Sequence, residues 1–256
     1  MRAFFAFVKK ECLEQYRTGK LLMLFAVFVL FGIMNPAIAK LTPWLMESLS
    51  ESLAQAGMTV TEYTVTALDS WAQFYKNIPM ALIVFVLAEC GIFTKEYNAN
   101  TLVLCLTKGL SRRKVMLAKT SVLFLLWSAL YFTCFGITYA YSTYYWDNSA
   151  VGSLGFGVFL WWLLGVLAVM LIPLFSALFN ANTGVAAGVG AVFGGAYLLC
   201  LIPALKEYSP AFLMKTAPLT YKTAESGDYL GAVIVTALLC VVALVCALPV
   251  FDKKQL

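Results

Sequence analysis

Six long apolar stretches dominate the hydrophobic pattern of the chain, and polar segments separate them. They cover about residues 21–39, 78–93, 115–145, 154–179, 184–203 and 229–251. A helix needs roughly 20 apolar residues to cross the ~30 Å of hydrocarbon in a bilayer. The second stretch is short, since its 16 residues rise only about 24 Å. The pattern predicts an all-α polytopic membrane protein with six transmembrane helices in a single domain over residues 1–256.

The segment before the first stretch, residues 1–20, has the period of an amphipathic helix. One arc of its helical wheel carries Phe4, Phe5, Val8, Cys12 and Tyr16, and the opposite arc carries Lys10, Glu14 and Arg17. Aromatic side chains facing charged ones in this way are typical of a helix that lies in the membrane interface. The sequence therefore predicts an N-terminal interfacial helix.

Residues 40–77 and 204–228 are predicted to be external loops, and the first of them has helical order of its own. It holds a repeat of Leu45, Leu49 and Leu53, a capping box at residues 59–62, and a second apolar stripe of Leu68, Trp71, Ala72 and Tyr75. We interpret these as two amphipathic external helices. Packing against the rest of the protein is the favoured role, and contact with a transported molecule is the alternative.

A charged segment, residues 94–119, separates the second and third stretches. Its middle predicts a short helix from about Glu96 to Lys108, with Tyr97, Thr101 and Leu104 on one face. Gly109 suits the residue that closes a helix, and Ser111 suits the N-cap of the next one.

Composition and charge place the chain in a membrane. Hydrophobic residues make up 62% of it and charged residues only 12%, against about 25% charged in soluble domains. Thirteen of the 18 Lys and Arg residues fall before the first span, in residues 94–119 and in the tail, and five fall in the external loops. This bias predicts that both termini are cytoplasmic in a plasma-membrane protein. No long basic block indicates nucleic-acid binding.

Residues 94–119 are similar to a loop of a known protein family, and we call them the coupling segment. Lys95-Glu96, Asn100-Thr101, a Leu-rich turn, Leu110-Ser111-Arg112-Arg113 and finally Lys119 resemble the cytoplasmic loop after the second span of type-2 ATP-binding-cassette (ABC) exporter permeases. The resemblance implies that this loop is a cytoplasmic coupling helix docking on a separate ATPase subunit. The residues it implies for coupling are Glu96, Tyr97, Thr101, Leu104, Arg112 and Arg113. A basic loop that only fixes topology is the alternative interpretation.

The same resemblance implies partners and a reaction. ATP and Mg²⁺ would be bound by the ATPase subunit, with no cofactor or metal in this chain. A second copy or a paralogue of the permease would complete the transport path. Alternating access would then move an amphipathic or hydrophobic cargo outward, such as a peptide, an antibiotic or a lipid-like molecule.

Two features within the spans are candidates for function. Glu89 lies near the inner end of the second span; it could face the translocation path, although a carboxylate that reaches the interface is the favoured interpretation. Gly184, Gly188, Gly190 and Gly194 make two G-x-x-x-G spacings in the fifth span. These suit close helix packing, either within the chain or between subunits.

The sequence lacks the residues and motifs that catalysis by this chain would need. It has no histidine, no P-loop motif for nucleotide phosphates and no G-x-S-x-G nucleophile motif. Apart from Glu89, the predicted spans carry no ionisable relay of the kind that secondary carriers use. A membrane scaffold without transport, and less strongly a secondary carrier, remain the alternatives to the permease.

Overall fold

Helices make up the fold throughout the described part of the chain. The computed structural model describes residues 2–55, 64–98 and 111–253. Its α-helices are α1 (Arg2–Arg17), α2 (Lys20–Gln55), α3 (Ala67–Glu89), α4 (Gly91–Asn98), α5 (Arg112–Tyr145), α6 (Leu154–Leu178), α7 (Asn182–Leu199), α8 (Ala217–Thr220) and α9 (Leu230–Lys253). Short 3-10 helices occupy the connections at Asn148–Ala150, Lys206–Tyr208, Pro210–Met214 and Ser226–Tyr229.

Within the described ranges, six helical segments are long and apolar enough to cross a membrane. They are Lys20–Ser48, Ala67–Tyr97, Arg112–Tyr145, Leu154–Leu178, Asn182–Leu199 and Ser226–Lys253. The predicted fold class, an all-α protein with six membrane helices, is therefore confirmed.

The first span and the helix predicted beyond it are one element. The prediction ends a span at residue 39 and places a separate external helix around Leu45, whereas α2 runs without a break from Lys20 to Gln55. Pro36 and Pro43 lie inside it. Each proline removes one backbone hydrogen bond, and packing along α3 and α5 holds the helix together. The predicted capping box at residues 59–62 lies outside the described residues.

The second long helix starts earlier than the sequence predicts. The prediction starts the second span at residue 78, but α3 begins at Ala67 and passes through Pro79. Trp71 and Phe74, both fully buried, explain this, because their rings pack against Phe135 and Tyr131 of α5 with centroids 5.7 and 6.1 Å apart. The stripe predicted for an external helix is thus part of the interior.

Helix α6 lies at the centre of the bundle and packs against α5, α7 and α9. Gly165 allows α5 to approach closely, because a Cβ at this position would lie 1.9 Å from Cε2 of Trp127. The Trp127 indole donates to the carbonyl of Trp162 at 3.1 Å, and the Tyr131 hydroxyl donates to that of Val158 at 2.7 Å. Close packing and two buried hydrogen bonds therefore join α5 to α6.

A buried polar chain ties α2 to α3 and α5. Asn35, only 1% exposed, donates to the Thr138 hydroxyl at 3.1 Å and accepts from the Asn77 amide at 2.9 Å. Thr138 donates in turn to the carbonyl of Gly32 at 3.0 Å. Hydrogen bonds of this kind fix helix register where apolar side chains alone would allow sliding.

The connection between α7 and α9, predicted as the loop 204–228, is built from short helices that pack on the bundle. Ser209 donates its hydroxyl to the carbonyl of Ala196 at 2.6 Å. Leu213 and Leu219 are buried. The Tyr229 hydroxyl closes the connection by donating to the carbonyl of Lys215 at 2.5 Å. This ordered connection forms one wall of the cavities considered below.

Candidate functional site

The described residues reach the coupling segment from both sides. Helix α4 carries Glu96 and Tyr97 and is described to Asn98, and α5 begins at Arg112. Ser111 stands at the N-cap of α5, as predicted. Thr101 and Leu104, together with most of the helix predicted from Glu96 to Lys108, lie outside the described residues. The geometry given below is therefore that of the two ends of the coupling segment, which we call its flanks.

A buried cluster of charges joins these flanks to the N-terminal helix. Lys119 of α5 is 1% exposed and Glu11 of α1 is 3% exposed. The Lys119 Nζ lies 2.6 Å from Glu11 Oε2 and 3.2 Å from Glu96 Oε1. Three elements that are distant in sequence, α1, α4 and α5, are thus held by one ammonium group.

Lys10 completes this cluster, which we call the charged cluster: Lys10, Glu11, Glu14, Glu96 and Lys119. The Lys10 Nζ lies 2.9 Å from Glu11 Oε1, 2.9 Å from Glu14 Oε2 and 3.0 Å from Glu96 Oε1. Oxygens of the three glutamates lie within 4.8 Å of one another, a spacing at which like charges repel unless a cation lies between them. The Lys10 ammonium lies within 3.0 Å of an oxygen of each of the three glutamates and supplies that cation.

The charges of the cluster shift the pKa values of their partners. Partial burial of Lys10 opposes its charge, but hydrogen bonds with Glu11, Glu14 and Glu96 outweigh it and raise the pKa of Lys10 above its usual value. Burial similarly opposes ionisation of Glu14, and its hydrogen bond with Lys10 outweighs this and lowers the pKa of Glu14. Both groups therefore stay ionised at neutral pH.

Glu89 lies beside the charged cluster and is fully buried. Its Oε2 accepts a hydrogen bond from the Gln15 amide at 2.7 Å, and its Oε1 lies 3.5 Å from the Lys20 Nζ. Lys20 also donates to the carbonyl of Ala88 at 2.8 Å. The last turn of α3 is thus fastened to α1 and to the start of α2, and the Glu89 carboxylate contacts the N-terminal helix instead of the surface.

The predicted coupling residues Arg112, Arg113 and Tyr97 lie against the end of the last helix. Arg113 Nε donates to Asp252 Oδ2 at 2.6 Å, and Arg112 donates to the Asp252 carbonyl at 3.1 Å. The Tyr97 and Phe251 rings lie 6.2 Å apart between centroids. The structure therefore brings Glu96, Tyr97, Arg112 and Arg113 to one end of the bundle, where α1, α4, α5 and α9 converge.

The glycines of the fifth span divide between two environments. A Cβ on Gly184 would lie 3.0 Å from Phe179, and one on Gly188 would lie 2.5 Å from Phe175, so this pair packs within the chain against the end of α6. Gly190 and Gly194 have open space where a Cβ would stand. The two spacings thus lie on different faces of α7.

Comparison with known proteins assigns the family. A sequence model described as ABC-2 family transporter protein matches residues 5–256. The chain belongs to the ABC-2 transporter family. A protein of Bacillus subtilis (strain 168), described as uncharacterized transmembrane protein YxlG, is 20% identical over 250 residues, which cover 95% of each chain.

Membership of the ABC-2 family makes this chain a multi-pass membrane permease of an ABC transporter. Such a permease is the membrane component of transport and is not itself catalytic, and the family in general works with an ABC ATPase. The charged cluster and the Arg113–Asp252 pair are the features that this ABC-2 chain places at the flanks of its coupling segment.

The N-terminal half of the charged cluster was missed by the sequence analysis. The predicted interfacial arc includes Phe5, Cys12 and Tyr16, and these side chains are indeed exposed. A different face, formed by Phe7, Glu11 and Gln15, is buried, although periodicity gave no reason to place a carboxylate inside. The signal that could have found it is Lys119, a cation within an apolar stretch that requires an acidic partner.

Proposed function

We propose that this chain is the membrane subunit of an ATP-driven exporter, which moves an amphipathic or hydrophobic cargo outward by alternating access. Energy comes from ATP hydrolysed with Mg²⁺ on a separate cytoplasmic ABC ATPase subunit. The protein lies in the plasma membrane with both termini in the cytoplasm, and the bias of Lys and Arg toward the terminal and coupling segments supports this orientation.

The observation that carries the proposal is the way both flanks of the coupling segment are fastened. Lys119 at the end of the segment pairs both with Glu96 near its start and with Glu11 of α1. Lys10 of α1 bridges the same two glutamates, and Arg113 is paired with the end of α9. A displacement of the segment by a docked ATPase would therefore move α1, α5 and α9 together. Rigid connections of this kind are what a two-state transport cycle needs.

A second permease subunit, identical or paralogous, belongs to the proposed complex. Six helices in one chain enclose little space, and most side chains of the central helix α6 are buried against the neighbouring helices. Helix α7 exposes Gly190 and Gly194 with free space above them, and small residues let a partner helix approach closely. Gly194 is where the two subunits would pack.

The test is co-purification of the tagged chain in mild detergent from cells that make it naturally, with identification of bound proteins and measurement of ATP hydrolysis. An Arg112→Glu/Arg113→Glu variant should lose the ATPase or uncouple it. Lys114→Glu is a matched control on the same turn, since Lys114 is exposed. Asp252→Asn is a second control, because it removes the negative charge that pairs with Arg113 without reversing the charge of the segment.

The expected result is an ATPase that travels with the wild type and with both controls but not, or not in coupled form, with the charge-reversed variant. A wild-type chain that purifies from such cells without any nucleotide-binding protein would refute the exporter proposal. Loss of the ATPase in Asp252→Asn as well would show that the Arg113–Asp252 pair, and not the charge of the segment, determines docking.

A further inference from the structure

Two neighbouring cavities share no lining residue with the charged cluster. The first, of about 300 Å³, is bounded by α3, α6 and α7 with Leu82, Trp161 and Phe193 among its lining residues. The second, of about 440 Å³, lies between α3 and residues 214–221. Met214 lines both cavities, so a single molecule that passes this side chain can occupy the two together.

The second cavity is cationic. Lys76 of α3 and Lys215 line it from different elements, and the described residues that line it include no acidic one. Both side chains are exposed, and neither forms an ion pair with any described residue. Lysines that face one cavity without a counter-ion produce a local positive potential, which favours an anionic group.

The first cavity is apolar, and it carries one unused donor. Its lining contains no charged residue. The buried Trp161 indole N–H has no hydrogen-bond partner among the described residues. Gly157 of α6 lies next to Tyr75, which lines the cationic cavity. Trp161 follows Gly157 by one turn, about 6 Å further along α6.

We propose that the two cavities form one site for an anionic amphiphile. The acidic headgroup lies between Lys76 and Lys215, and an acyl chain lies in the apolar cavity beyond Met214. A carbonyl oxygen in the linkage between headgroup and chain accepts the Trp161 N–H. The site rests on the proposed exporter function insofar as it defines the cargo class, but binding to it requires no ATPase.

The headgroup half is tested with the purified full chain in an uncharged detergent and with phosphatidylglycerol as the probe, its binding followed by native mass spectrometry. Lys76→Gln/Lys215→Gln should weaken binding about thirtyfold, since a lysine near an anionic lipid contributes roughly a fivefold gain in affinity. Lys40→Gln/Lys206→Gln makes the same charge change outside the cavity and should bind within about twofold of wild type.

The acyl-chain half has its own pair of variants. Gly190 lines the apolar cavity with open space at its Cβ, and Gly195 of the same helix has open space but does not line it. Gly190→Leu should therefore block binding, and Gly195→Leu should not. Trp161→Phe keeps an aromatic ring at this position and removes the N–H donor, and it should weaken binding about fivefold.

Two further probes decide the ligand class, and a release measurement decides the source of the ligand. Phosphatidylcholine with the same acyl chains and glycerol phosphate without chains should both bind much more weakly than phosphatidylglycerol. Equal binding of phosphatidylcholine, or unchanged affinity in the Lys76→Gln/Lys215→Gln variant, would overturn the site while leaving the ATPase result untouched. With the co-purified ATPase, release of labelled phosphatidylglycerol on addition of ATP identifies a cargo, and retention identifies a resident lipid; both support the site.

Discussion

Replacement of Lys119 by Met gives the most direct test of the charged cluster. The ammonium is 1% exposed and lies within 3.2 Å of carboxylate oxygens of Glu11 and Glu96. Removal of one partner from a buried ion pair costs about 3 to 5 kcal/mol, because it leaves buried charge uncompensated. In a chain of this size each kcal/mol lowers the unfolding midpoint by about 2 to 4 °C. We expect a decrease of roughly 6 to 20 °C.

The assay is thermal unfolding of the purified chain in detergent, followed by circular dichroism. Lys114→Met, an exposed change one turn earlier on α5, is the control and should shift the free energy of unfolding by about 0.5 kcal/mol at most. A Lys119→Met/Glu11→Gln double variant should recover part of the loss, since the buried carboxylate is then neutral. If Lys119→Met unfolds at the same temperature as the control, the cluster does not stabilise the fold and the argument is refuted.

Four other changes test three separate features. Glu14→Gln should be less stable than wild type at pH 7. Because the folded-state pKa of Glu14 is lowered, the difference should begin to shrink below its usual pKa of 4.5 and be lost once the pH falls through the lowered folded-state pKa; a difference that grows in acid contradicts this. Gly188→Ala should cost about 1 to 3 kcal/mol by overpacking Phe175, and Gly194→Ala should cost almost nothing in the unfolding of a single chain. Asn35→Ala should cost about 1 to 2 kcal/mol in unfolding, with Asn77 left unpaired; an unchanged midpoint would show that the polar chain is dispensable.

The six membrane helices could be predicted because their signal is local. A long apolar run such as that of α6 has few alternatives to a membrane helix, and the N-cap at Ser111 depends only on the residues around it. Helix ends were harder to predict at Pro79 and after residue 39. There, contacts of Trp71 and Phe74 with α5 extend a helix across a proline, and no local pattern reports contacts with a distant partner.

The coupling site could be predicted only in part, for the same physical reason. The resemblance implies coupling roles for Glu96, Arg112 and Arg113, which stay predictions, and the structure places the three residues at one end of the bundle. Their partners Glu11 and Asp252 come from opposite ends of the chain, and spacing in sequence contains no information on such pairs. Glu89 shows the same limit, because its burial depends on Gln15 of a separate helix.

The Glu11–Lys119 pair also constrains the order in which the helices assemble during synthesis. The two residues are 108 positions apart, and a ribosome adds about 5 to 20 residues per second. Glu11 therefore has no Lys119 to neutralise it for about 5 to 22 s after its own synthesis. During this interval α1 can use its exposed Phe5 and Tyr16 to rest on the bilayer, and it settles into its final place only after α5 has emerged.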